Sequence, residues 1–192
     1  MERLKTLTEE KKAEYQKAEA SEQKRFHQTM GDVTHQVCLN ELKLKIIIAT
    51  TAFQLADAIQ NIIKNKDLSK EEYDAYMGVI AVTEIAILDL SFKTTSTLER
   101  IDEYSKNPIL KEGIQDHLKT LKGGLNVVFG FGLMAAGVAS GGFLGLLVSS
   151  VGVAYIFSGI HTLLNNVNSI TVPANYLADL HEKLGMLPSP SS

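Results

Sequence analysis

The side chains able to do chemistry are few and scattered along these 192 residues. Histidines stand at positions 27, 35, 117, 161 and 181, and Cys38 is the single cysteine. His35 and Cys38 can share a helix face, with Asp32 just before them, but a metal site needs three or four converging ligands and no further one is near in sequence. His117, beside Asp116 and Glu112, reads as part of a solvated helix face. Gly130-Phe131-Gly132 opens like a dinucleotide-binding loop, yet no third glycine follows at the required place and no acidic residue follows for a ribose. No phosphate-binding loop or nucleophile elbow occurs. The expectation is a protein that is not an enzyme, with no cofactor, no metal and no small-molecule substrate.

Two carboxylates suggest a different chemistry. Glu84 and Asp89 lie in a stretch, Met77 to Phe92, that is otherwise apolar on nearly every face. Low dielectric disfavours a charged carboxylate, and protonation would remove the charge that opposes entry into lipid. The pair is a candidate acid switch; the alternative is that one or both face water or meet a lysine.

The dominant element is a run from Gly123 to Ala178, 56 residues without Asp, Glu, Lys or Arg, in a chain of which 21% is charged. Its densest part, Gly124 to Leu164, is about twice the ~20 apolar residues needed to cross a membrane once. Ser140-Gly141-Gly142 is the turn signal. It divides the run into Gly124–Ala139 and Phe143–Leu164, ~24 Å and ~33 Å long as helices, which make an apolar hairpin. If the chain instead continues as one helix, Gly137, Gly141, Gly145 and Ser149 form a flat strip, as do Gly132, Ala136 and Ser140. Such small-residue rows let helices approach closely in lipid, and they offer a route to a homo-oligomer. A tightly packed soluble hairpin would use glycine in the same way.

The rest of the chain is charged and helical. Residues 1–122 hold 18 of the 19 basic and 20 of the 22 acidic side chains. Met1 to about Met30 alternates in charge sign and is polar nearly all round, which predicts a solvated helix, or an ordered arm that docks loosely, ending at Gly31-Asp32. Val33 to Lys64 is amphipathic: Leu39, Leu42, Ile46, Ala49, Phe53, Ala56, Gln60 and Ile63 form a seam, widened by Ile47, Ile48, Leu55, Ile59 and Ile62. Lys43, Lys45 and Asp57 argue against its crossing a membrane. Ser69 and Glu72 make a capping box, opening a helix from Lys70 to about Tyr104 that the run Lys93-Thr94-Thr95-Ser96-Thr97 weakens. Asn107-Pro108 predicts a further short helix, stopped by Gly123, with Lys111, Lys119 and Lys122 just before the apolar run. After a loop at 165–169, residues 174–184 predict a last amphipathic helix, followed by a frayed tail.

The fold class is therefore all-α: a bundle of long amphipathic helices packed with an uncharged, Gly-rich hydrophobic hairpin near the C-terminus. The expected divisions are 1–122, 123–165 and 166–192 within one structural domain. A net charge of −3 with no Trp excludes the concentrated basic surface that nucleic acid requires. A lone cysteine permits no intrachain disulfide, which fits a reducing compartment. The N-terminus lacks the apolar core of a secretory signal.

In plan, amphipathic helices around an uncharged hairpin, the chain resembles the pore-forming domains of colicins and related α-helical toxins. It shares no specific motif with them, so no functional residue is carried over. The leading expectation is a membrane-associated protein, with a soluble precursor whose amphipathic helices wrap the hairpin until it inserts. Its partner is then the lipid bilayer, entered through Gly124, Phe129, Phe131, Leu133, Gly137, Gly141, Phe143, Gly145, Leu146, Leu147, Val151 and Phe157, as in a pore-forming toxin or effector. The alternatives are an integral membrane protein permanently anchored by the hairpin, of an accessory or immunity type, and a soluble helical interaction module.

Overall fold

The apolar periodicities are realised as six helices. The computed structural model describes residues 1–28, 33–88, 90 and 95–166, among which there is no strand. In order they form α1 (Glu2–Gln28), α2 (Val33–Asn65), α3 (Lys70–Leu88), α4 (Thr95–Ser105), α5 (Glu112–Ser140) and α6 (Gly142–Asn165). The link at Gly31-Asp32, the helix expected at 174–184 and the tail after it lie outside the described residues.

Of the two expectations for α1, a solvated helix or a loosely docked arm, the structure has the helix docked along α2. Its few large residues fall on one stripe, so Leu4, Thr8 and Tyr15 are buried along α2. The two helices run antiparallel. Near one end Lys5 Nζ donates to Asp57 Oδ1 at 2.7 Å and to Gln60 Oε1 at 2.5 Å; near the other, Glu22 meets His35. Lys45 lies 5.9 Å from the Tyr15 ring centre, where an ammonium is attracted by the negative π face. Because α1 is polar, the α2 residues beside it stay partly exposed. Ile46, Phe53 and Gln60 from the expected seam are only half-buried, and the fully covered line is Leu44, Ile48, Leu55 and Ile59.

The capping box forms as read: Ser69 N–H donates to Glu72 Oε2 at 2.8 Å and Glu72 N–H donates to Ser69 Oγ at 3.2 Å. The single helix expected from Lys70 to Tyr104 is divided between α3 and α4, and α4 begins within the Thr/Ser-rich run, whose short polar side chains compete for backbone hydrogen bonds. α4 folds back on α3, with the Tyr104 ring over Gly78.

Two further expectations are corrected at the start of α5. Asn107-Pro108 is a turn, in which Asn107 Oδ1 accepts from Ile109 N–H at 3.0 Å, and the helix starts only at Glu112. It then passes Gly123 without stopping, because that glycine is needed for packing and not as a terminator. α5 touches α2, α4 and α6 and so becomes the bundle's central strut. Ile114, Leu118, Leu121, Leu125 and Val127 are fully or almost fully covered.

Candidate functional site

Helices α5 and α6 meet at Gly141, which has φ 63° and ψ 177°, next to Gly142 at φ 62°. Both values lie where a side chain is strained and glycine is not. The continuous-helix alternative is thereby overturned. Gly141 N–H still donates to Gly137 O at 3.2 Å and Gly145 N–H donates to Gly141 O at 3.1 Å, so the reversal is made almost without losing backbone hydrogen bonds.

The reversal turns the small residues toward one another. A Cβ added at Gly130 would lie 2.5 Å from Gly152 O, one at Gly137 2.6 Å from Gly145 O, and one at Gly159 2.5 Å from Gly123 O. All are well inside van der Waals contact and all abut backbone. The facing set is Gly123, Gly130 and Gly137 on α5, and Gly145, Gly152 and Gly159 on α6. Each row has a spacing of seven, the repeat that keeps one seam between two supercoiled helices. The spacing of four noted in the sequence described a strip that does not exist as one surface, since Gly137 and Gly145 are opposite partners across the turn. The seven-residue spacing was visible in the chain and is the signal that finds the seam. Of the second small row, Gly132, Ala136 and Ser140 remain on the outer surface.

Along this pair, burial changes abruptly. Up to Phe131 on α5 and back from Gly152 on α6, side chains pack into the bundle: Gly124 lies against Ile48, and the Phe129 ring meets Tyr155 edge-on with centres 5.0 Å apart. Beyond that level only Gly137 and Gly145 are buried. Phe143 is 75% exposed and Leu144 73%, and Val138, Leu146, Leu147 and Val151 are also exposed. The expected wrapping by amphipathic helices therefore covers the root and leaves the tip bare. Helix α2 lies against the root of α5, and the tip of the apolar pair projects beyond that contact.

The expected lipid-facing residues divide at the same level. Gly124, Phe129, Phe131 and Phe157 belong to the packed root. Gly137 and Gly145 lie in the seam and Gly141 in the turn. Phe143, Leu146, Leu147 and Val151 form the bare tip, with Leu133 partly covered beside them. Glu84 does not stand alone in an apolar setting: Arg3 of α1 forms an ion pair with it, although Glu84 Oε1 receives no hydrogen bond. Asp89 lies outside the described residues, so the structure does not bring the two acids together. At the foot of α6, His161 is exposed and accepts from Asn165 Nδ2 at 3.1 Å. Among the described residues no three His, Cys, Asp or Glu side chains converge as metal ligands.

Among the described residues three helices are long and apolar enough to cross a membrane: His35–Asn65, Glu112–Ser140 and Gly142–Asn165, with α6 the most apolar. By length and composition α2 is among them, with the charges that argue against its crossing unchanged. Lys43 and Lys45 lie toward one end, and Asp57 is the only charge between Lys45 and Lys64.

Beside the root, α4, α5 and α6 enclose an open cleft of about 390 Å³ bordered by Glu99, Asp102, Lys122, Asn126, Tyr155 and Ser158. Lys106 and Lys122 both bond to Asp102. Partial burial pulls the Asp102 carboxyl upward, but the hydrogen bonds and charge of the two lysines outweigh it and hold the group below its ordinary value. No protein family, curated protein or solved structure matches this chain.

Proposed function

We propose that this protein inserts into membranes through the tip of the α5/α6 pair. The supporting observation is the uncharged apolar projection beyond Phe131 and Gly152, in which six large side chains are about half to three-quarters exposed. Scaling the usual 1.5–3 kcal/mol per buried large apolar side chain by those exposures gives on the order of 8 kcal/mol for transfer into lipid. Roughly ten residues of rise per arm make the projection ~14 Å long, about half of a ~30 Å hydrocarbon core. As folded, then, the tip reaches into one leaflet.

Crossing the whole bilayer is a second step. It requires α5 and α6 to leave α2 and α4 at the root, and the glycine seam supports their moving as one unit. Pore formation by a toxin or effector is this two-step reading, with assembly through the exposed Gly132, Ala136 and Ser140 row. The inclusion of α2 among the helices able to span favours permanent anchorage as the second reading.

The chain has no Trp, so Phe143→Trp supplies a single fluorophore at the tip. Its emission is expected to shift to the blue with phospholipid vesicles and to be quenched by labels placed in the outer leaflet. Emission unchanged by vesicles refutes insertion. Dye release with insertion supports the pore reading, and insertion without release leaves an anchor.

A further inference from the structure

The cleft between α4, α5 and α6 contains a group that the fold does not use. Asn126 is 5% exposed, yet its carboxamide makes no hydrogen bond to another described residue, and it borders the cleft. Its amide atoms are not wholly enclosed, so they open onto the cleft and can pair with what enters it. Glu99 on the rim likewise has no ion-pair partner among the described residues. Lys122, one helical turn before Asn126 on the same helix, also borders the cleft, together with Ser158 and the Tyr155 ring.

The cleft also has a defined height. Asn126 and Tyr155 lie five residues below Phe131 and three beyond Gly152, or about 5–8 Å down the pair. The polar layer on each side of a bilayer is about as thick. With the tip in the hydrocarbon, the opening of the cleft falls among headgroups, and Tyr155 sits where aromatic side chains favour the interface.

Building on the insertion reading, we propose that this cleft is a headgroup site for a zwitterionic phospholipid, with phosphate on Lys122 and Asn126 and ammonium toward Glu99 and the Tyr155 ring. The charges select this class. Glu99 and Asp102 against Lys122 and Lys106, both of which pair with Asp102, leave no net charge, and the Glu99 carboxylate on the rim favours a headgroup that carries its own cation beside its phosphate. Lys122 has three N–H donors, so it can keep Asp102 and still donate to a phosphate oxygen. Asn126 donates to the same phosphate through its amide N–H. An ammonium near Glu99 gains both a counter-charge and the face of an aromatic ring.

The test uses monomeric short-chain lipids with the full chain in solution, followed by nitrogen-labelled NMR of the Asn126 side-chain amide. Dihexanoyl-phosphatidylethanolamine is expected to bind saturably and shift that amide, at least tenfold more tightly than dihexanoyl-phosphatidylglycerol. Asn126→Leu should weaken binding at least tenfold. The near-isosteric Asn126→Asp should do the same through repulsion of the phosphate, and serves if the first variant folds poorly. Glu99→Lys should reverse the headgroup preference. Equal binding of the two lipids, or no loss in a folded Asn126 variant, overturns the proposal. Glycerophosphoethanolamine binding as tightly as the lipid overturns the lipid assignment. Tip fluorescence with vesicles is read separately, so short-chain binding without a blue shift defeats the insertion reading alone, and a blue shift without headgroup preference defeats the cleft alone.

Discussion

Two glycine-to-alanine exchanges, two residues apart on α5, should change stability in opposite directions. At Gly130 the new methyl would sit 2.5 Å from Gly152 O and 2.9 Å from Ile156 N. Carbon and oxygen normally approach to about 3.3–3.6 Å, so the helices must separate by roughly 1 Å. The obstructing atoms belong to backbone, and no rotamer can relieve them. Overpacking of this kind costs up to about 3 kcal/mol, while replacing a mid-helix glycine by alanine returns about 1 kcal/mol. The net is about 2 kcal/mol of destabilisation, or a fall in Tm of about 4–8 °C for a chain of this length. At Gly132 nothing lies within 4 Å of the added atom, so only the helix gain remains. Gly132→Ala should raise Tm by about 2–4 °C. Thermal unfolding followed by circular dichroism, with both variants and the parent in one buffer, decides the matter. Equal shifts, or a Gly130→Ala protein as stable as the parent, would refute the seam.

Other expectations follow from the same geometry. Phe143→Asp combined with Leu147→Asp places two charges at exposed positions that should leave the Tm within about 1–2 °C of the parent, yet each would cost about 2.5–3.5 kcal/mol at bilayer depth; vesicle flotation should fall to background. Ser69→Ala removes the acceptor for Glu72 N–H and should cost about 1 kcal/mol, read from the urea midpoint. The folded values of Asp102 and Glu72 are both depressed, the first by its two lysines outweighing burial and the second chiefly by the Ser69 backbone N–H. Both groups therefore contribute stability that is present above the ordinary carboxylate range and is lost as pH falls through the folded values. Urea midpoints measured from pH 7 to pH 3 should decline, and the Asp102→Asn/Glu72→Gln double variant should decline less; an identical pH dependence would show that these carboxylates contribute nothing. The Tyr15 hydroxyl is pushed up to about 12, foremost by burial and then by Glu14 and Glu41. In absorbance titration it should remain protonated above pH 10, the ordinary value of a tyrosine hydroxyl, and its contribution to stability is lost as pH rises through its folded value.

Much of this protein was legible without coordinates because its signals are local. The spacing of apolar residues made α2 a helix from Val33, and Ser69 with Glu72 marked the start of α3, since each device acts within a few residues. The absence of charge from Gly123 to Ala178 required that segment to avoid water wherever it sat, and Ser140-Gly141-Gly142 marked the place of reversal. The rows of glycines at intervals of seven were also present to be read, but their meaning depends on register. Only once α5 and α6 lie antiparallel does Gly130 face Gly152.

Other features were decided by partners distant in sequence. The polar look of α1 concealed a narrow stripe that α2 could cover, because burial depends on what lies opposite a residue and not on its neighbours in the chain. The bareness of Phe143 and Leu146 follows from where the helices are placed along one another: α5 and α6 extend past the helices that shelter their root. Asn126 gained its place beside Lys122, Glu99 and Tyr155 in the same way. The amino-acid order settled which segments are helical and which must leave water, since backbone hydrogen bonding and hydration act locally; which faces were covered, and which were left for lipid, was settled by packing between elements far apart in the chain.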